Sequence, residues 1–229
     1  MYNHRKNMIF AVIAAIAGFC YSIADYLLEY LPHVSETLDK FGVVESAWTD
    51  MSSGRFGVSL FMSAILTPFF VAGYVCIYRQ IKNSSPKLSN AFVITALIGG
   101  LVDFFIHAIL CIMPIVYKSV YSLEGQGAAV HVLEDMTGSF IIPFYVYFAF
   151  IFVGYILWFV YAFGKRSIYP RWYALVLLLA VIIQLGFAGM GLQALSVGVF
   201  SRLEMTFFIF AAITEYKIIR SEVNYEKNH

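Results

Sequence analysis

Asp103 and His107 stand four residues apart in the run Gly99-Gly100-Leu101-Val102-Asp103-Phe104-Phe105-Ile106-His107. On an α-helix that spacing puts both side chains on one face, one turn apart. Asp25 and Glu29 repeat the pattern in another apolar run, with Tyr21 one turn below Asp25. Arg55 follows as a fixed cation able to pair with either carboxylate. His131, Glu134 and Asp135 come later, and Arg202 and Glu204 later still. A charge at the bilayer centre costs about 2.5–3.5 kcal/mol on the insertion scale, so ionisable residues within apolar runs are expected to act.

Two histidines and several carboxylates suit zinc, which takes three protein ligands and an activated water. Asp103, His107, His131 and Glu134 are the candidate metal ligands, and Asp25 is an alternative to the last two. Asp103, His107, Asp25, Glu29 and Arg55 form the candidate catalytic set, with a spare carboxylate as base for hydrolysis of a lipid-like substrate. The same residues fit other schemes. Carboxylates beside an imidazole make a proton relay for a small transporter, with in-helix prolines permitting rocking. Acid and base capping an apolar cavity would suit an isomerase or a ligand-binding protein. In a non-catalytic scaffold the polar groups would only tie helices together. For Arg55 and Arg202 interfacial anchoring competes with chemistry, and His131, Glu134 and Asp135 fit a solvated loop.

These residues sit in a chain of 229 residues that is 61% hydrophobic and 13% charged, with mean hydropathy +0.77. Soluble domains are about 45–50% apolar and about 25% charged, so a soluble enzyme and a disordered chain are excluded. A net charge of +1 gives no basis for a nucleic-acid partner. Cys20, Cys76 and Cys111 lie inside apolar runs and are too few and too scattered for a disulfide framework, so they are read as packing residues.

Six apolar runs cover residues 8–30, 55–78, 91–117, 139–163, 172–195 and 197–218. Each is long enough to cross about 30 Å of hydrocarbon as a helix. The expected fold is therefore an all-α polytopic bundle of six transmembrane helices. No internal repeat or second domain is visible, so residues 1–229 are expected to form a single integral membrane domain. Lys and Arg concentrate at the N-terminus (Arg5, Lys6), in the second loop (Arg79, Lys82, Lys87), in the fourth (Lys165, Arg166, Arg171) and at the C-terminus (Lys217, Arg220, Lys227). The opposite side holds Lys40, Arg55, Lys118 and Arg202, which predicts both termini in the cytoplasm. Trp48 is expected at the outer interface, and Trp158 and Trp172 at the inner one. Arg5 and Lys6, the apolar core from Met8 to Phe19 and Ser22-Ile23-Ala24 outline a signal peptide, but the run continues through Leu28 and favours a retained helix.

Within this topology Asp103 lies about 18 Å into its helix, just past the midplane. The inner halves read as almost wholly apolar, with Glu215 left to snorkel or pair with Arg220, so a cavity opening outward is expected. Ser89 is the expected cap of the third helix after the turn at Asn83-Ser84-Ser85-Pro86. Pro68, Pro114 and Pro143 fall inside helices. Gly186, Gly189 and Gly191 predict close packing of the fifth, with Gln184 hydrogen-bonding across helices.

The stretch Ala24-Asp25-Tyr26-Leu27-Leu28-Glu29-Tyr30-Leu31-Pro32, with Trp48, Arg55-Phe56, Pro68 and Gly73, resembles uncharacterised bacterial multi-pass membrane proteins over about the first two helices. That resemblance implies a bacterial inner-membrane location and groups Asp25, Trp48 and Arg55. In its chemistry alone the Asp/His inventory is similar to ceramidase-like membrane hydrolases, which gather Asp, His and Ser at one face of a helical bundle. Those enzymes place more histidines within their spans, where here only His107 qualifies. The partners expected are membrane lipids, a lipid-like or small-molecule ligand and further copies of the chain.

Overall fold

The computed structural model describes residues 3–31, 35–192, 195 and 197–228. Among them are six long helices: α1 (His4–Glu29), α2 (Ser53–Lys82), α3 (Pro86–Glu124), α4 (Gln126–Phe163), α5 (Arg171–Gly189) and α6 (Val199–Asn228). The α1–α2 connection adds a single 3-10 turn (Ser46–Thr49) and an isolated bridge between Thr37 and Glu45. Helices α1 to α5 are long and apolar enough to cross a membrane. α6 is more polar, with Arg202, Glu204, Glu215, Lys217, Arg220 and Glu222 along it. Pro32, which closes the family-like stretch, and residues 193 and 194 of the fifth apolar run lie outside the described residues.

Local chemistry sets the helix starts. Asn3 Oδ1 accepts the Lys6 N–H at 3.0 Å and opens α1. Ser52 Oγ accepts from Gly54 N at 3.3 Å at the head of α2. Pro86 opens α3, where its missing N–H costs nothing. Ser89 is therefore not the cap; its hydroxyl donates to the Pro86 carbonyl at 2.8 Å inside the first turn.

The largest departure from expectation concerns the third loop, which is helical almost throughout. α3 runs to Glu124, the chain reverses at Gly125 (φ +85°), and α4 starts at Gln126. Only glycine adopts that backbone conformation without steric cost. His131, Glu134 and Asp135 thus lie on the first turns of α4 and not in a loop. Hydropathy marks where hydrocarbon ends, whereas the backbone ladder continues until a breaker stops it. The 39 residues of α3 reach about 58 Å, roughly twice the hydrocarbon thickness.

α1 packs against α2 and α6, α3 lies between α2 and α4, and α5 packs lightly against α4 and α6. Ala11, Ala14 and Ala17 form the buried seam of α1. A Cβ at Gly73 would stand 2.4 Å from the Phe208 ring and 2.6 Å from Ala14 Cβ, and one at Gly18 would stand 3.0 Å from Met205. Small residues thus bring α1, α2 and α6 together. Gly186 and Gly189 of α5 and Gly191 just past its end do not serve this purpose, since a Cβ at any of them would meet nothing within 4 Å. Gln184 Oε1 has no partner among the described residues, so the expected interhelical bond is not made by that atom. Trp158 is buried against Phe207, with ring centroids 4.7 Å apart. Trp48 is buried beside Tyr117 and Trp172 is half exposed.

Candidate functional site

α1, α3, α4 and α6 enclose a cavity of about 220 Å³. α1 contributes Tyr21, Asp25 and Glu29, α3 contributes Asp103 and His107, α4 contributes Tyr147 between Phe144 and Phe148, and α6 contributes Ser201 and Glu204. Both i, i+4 pairs of the sequence therefore face one space. His107 Nδ1 lies 3.4 Å from Asp25 Oδ1, and the other Asp25 oxygen accepts from the Ser201 hydroxyl. Tyr21 Oη donates to Asp103 Oδ2 at 3.1 Å. Tyr74 of α2 donates to Glu204, and the Gly198 N–H donates to Glu29 Oε2 at 3.4 Å. Asp25, His107, Ser201 and Glu204 are buried, whereas Glu29 is exposed at the rim.

The second imidazole nitrogen, His107 Nε2, lies 3.0 Å from Ser59 Oγ. Ser59 spends its proton on the Ala24 carbonyl at 2.7 Å, so Nε2 must be the donor in the imidazole bond. Ser59, His107 and Asp25 thus have the connectivity of a hydrolytic triad. Their geometry does not support that chemistry: Ser59 is fully buried, does not line the cavity, and has its proton committed to the backbone.

Several candidates lie elsewhere. The guanidinium of Arg55 donates to the carbonyls of Leu27 at 2.5 Å, Tyr26 at 3.1 Å and Tyr30 at 2.8 Å. It closes the C-terminus of α1, where carbonyls lack helical partners, instead of pairing with Asp25 or Glu29. Arg202 likewise donates to the Gly198 carbonyl at 3.3 Å and to that of Val197. His131 is exposed, 4.0 Å from Asp135, and Glu134 pairs with Lys40 Nζ at 3.4 Å. Tyr147 marks cavity level on α4, and Glu134 lies thirteen residues before it, about 20 Å along the axis. The quartet Asp103, His107, His131 and Glu134 is therefore not assembled. Among the described residues no three His, Cys, Asp or Glu side chains are placed to hold one metal ion.

Ser201 and Tyr147 line the cavity although the sequence did not single them out, and Glu204, named there beside Arg202 but left out of the catalytic set, joins them. A second polar cluster occupies the opposite end of α1, α2 and α6. His4 Nδ1 meets Glu215 Oε2 at 2.7 Å, and Gln80 Nε2 donates to Glu215 Oε1 at 3.1 Å and to the Ala211 carbonyl at 2.9 Å. Tyr169 donates to Gln80, and Arg79 donates to Asn7 Oδ1 at 2.8 Å. Glu215 is fully buried against His4 and Gln80 instead of snorkelling, and this end of the bundle is not uniformly apolar.

Residues 1–217 match the family model of DUF6796, a family of unknown function. The chain belongs to DUF6796. The match extends well past the first two helices that carried the resemblance and takes in every residue of the cavity. No curated protein and no solved structure matches this DUF6796 chain.

Proposed function

We propose that this DUF6796 protein crosses the bacterial inner membrane six times, with both termini cytoplasmic, and binds a small protonatable cation in exchange for protons. The supporting observation is the composition of the cavity: four carboxyl side chains, Asp25, Glu29, Asp103 and Glu204, against one imidazole. In a medium of low dielectric such an excess calls for protons or a cation to balance it. The rings of Tyr21, Phe144, Tyr147 and Phe148 offer the aromatic faces on which an ammonium group is stabilised. At about 220 Å³ the space falls below the roughly 300–1,000 Å³ of drug-sized pockets, so a small amine suits it better than a whole lipid.

α6 counts as the sixth span because it lies antiparallel beside α1 along its length, from Gly198 at Asp25 to Glu215 at His4. Glu204 and Glu215 turn inward to Tyr74 and His4, away from lipid. The alternation of Lys and Arg across the loops supports the orientation. Membrane lipids would cover exposed apolar side chains such as Leu185 and Ile182. Metal-assisted lipid hydrolysis is the weaker reading, since His131 and Glu134 stand apart from the cavity and Ser59 is sealed.

Thermal unfolding of the detergent-purified protein with a panel of small amines, matched neutral isosteres and zinc tests this reading. At about a hundred times Kd, a bound amine is expected to raise Tm by about 5–10 °C. Asp103→Asn and Glu204→Gln should abolish the shift. A response to zinc or to neutral lipid analogues, with none to any amine, would replace the proposal with the hydrolytic one.

A further inference from the structure

A second space, of about 230 Å³, opens on the neighbouring face of α1 and shares no lining residue with the cavity. It is a cleft between α1 and the head of α6, lined by Ser22, Ile23, Tyr26, Val197 and Arg202. Among the described residues lining it, Arg202 is the one that carries charge. Its guanidinium is fastened to its own chain: Nε donates to the Gly198 carbonyl at 3.3 Å and Nη2 to that of Val197. An arginine carries five N–H donors, and those on Nη1 reach no acceptor among the described residues. Arg202 forms no ion pair among them either, since Asp25 is engaged by His107 and Ser201. The cleft therefore holds a fixed cation with donors to spare, which suits the oxygens of a phosphate.

Depth and surroundings say what carries that phosphate. α1 has 26 residues, and Tyr26 lies about ten residues past its middle, about 15 Å along the axis and so half of a roughly 30 Å hydrocarbon core. A helix crossing a membrane carries this cleft at the headgroup boundary. Tyr26 and Tyr30, with rings stacked 4.5 Å apart, are of the residue type that gathers there. Below Tyr26 the exposed side chains Ile23, Phe19, Ile16, Val12 and Ile9 follow in steps of three and four, a single apolar stripe down the outside of α1. An arginine at this level can extend to reach headgroups by itself, but Arg202 is folded back onto backbone carbonyls, so the phosphate must come to it. We propose that the cleft is a phospholipid site, in which Arg202 holds the phosphate, Tyr26 packs against the glycerol, and one acyl chain follows the stripe from Ile23 towards Val12. The site does not depend on what the cavity binds.

Thermal unfolding of the full chain in an uncharged detergent tests the site with three probes. They are dioleoyl phosphatidylglycerol, whose charge is its phosphate alone, dioleoylglycerol, which lacks the phosphate, and inorganic phosphate. At about a hundred times Kd, phosphatidylglycerol is expected to raise Tm by about 5–10 °C, and the other two probes should leave it unchanged. Arg202→Gln should abolish the shift. Because that variant also frees the Val197 and Gly198 carbonyls, Ser22→Phe provides an independent arm: it fills the cleft and keeps Arg202. The Ser22 hydroxyl donates only to the Phe19 carbonyl of its own helix, at 2.7 Å, so its loss leaves no tertiary bond unmade. Ser22→Phe should melt cooperatively near the wild-type Tm and lose the phosphatidylglycerol shift. An undiminished shift in folded Ser22→Phe overturns the proposal, as does no shift in the wild type. An equal shift with dioleoylglycerol would mean an apolar covering without phosphate recognition, and an equal shift with inorganic phosphate would mean a site for the free anion; either result also overturns it.

Discussion

His4, Gln80 and Glu215 at one end of the bundle and Asp25, His107 and Glu204 at the other are drawn largely from the same helices, and all but the partly exposed His4 are buried. At the first end the carboxylate and the Gln80 amide meet protein partners directly: both Glu215 oxygens are taken, by His4 and Gln80, and Tyr169 donates to the oxygen of Gln80. At the second end the carboxyl groups outnumber the cations and surround a cavity of about 220 Å³. A buried charge in an apolar helix is thus no sufficient mark of a site, because matched groups can simply clamp helices together. Space left beside an unbalanced set of charges marks the site here.

The sharpest way to break this contrast is to remove one carboxyl from each end. Glu215→Ala leaves His4 and Gln80 without their partner and is expected to cost about 3–5 kcal/mol. Asp103→Asn relieves like-charge crowding in the cavity and should leave Tm within a degree or two of wild type, or raise it. Equal losses in both variants, read by thermal unfolding in detergent, would show that the two ends are structurally alike.

A smaller effect separates the tight and loose helix contacts between and beside these ends. Gly73→Ala forces a methyl group into Phe208 and Ala14 and should cost about 1–3 kcal/mol. Gly186→Ala faces open space and should be neutral or stabilise by up to about 1 kcal/mol through helix propensity. The same melts report both, and a destabilised Gly186→Ala would show that α5 packs more closely than it does here.

The smallest effect is expected at His131, exposed on α4 and remote from the cavity. His131→Ala should change stability by no more than about 0.5 kcal/mol and leave amine binding intact. Treatment of wild type with a chelator should likewise leave Tm unchanged. Loss of binding in either experiment would restore His131 to the site and with it the metal hypothesis.

Much of the site could be read from residue order because intramembrane acids are costly enough to stand out. Asp103 with His107 and Asp25 with Glu29 declared their helical faces. Glu204 and Glu215 were less readable: each lies near the edge of an apolar run, where hydropathy cannot tell an interfacial side chain from one turned into the bundle. Arg55 was misread because its partners are backbone carbonyls, which every residue carries and no sequence pattern displays. The third loop was misplaced for a related reason, since polarity marks the membrane boundary and Gly125 alone marks the end of the helix.

Apolar run length, helical periodicity and turn residues, all local properties, determined by themselves that this chain is a bundle of long helices with paired ionisable residues on particular faces. Which pairs share a space depended on how those helices approach one another. The small side chains at Gly18, Gly73 and Ala14 set α1, α2 and α6 in contact, and that approach brings His4 to Glu215 across 211 residues and Asp25 to Ser201 across 176. Only this tertiary arrangement decided that one polar cluster closes on itself and the other remains hollow, because packing fixes how much volume the opposed side chains leave unfilled.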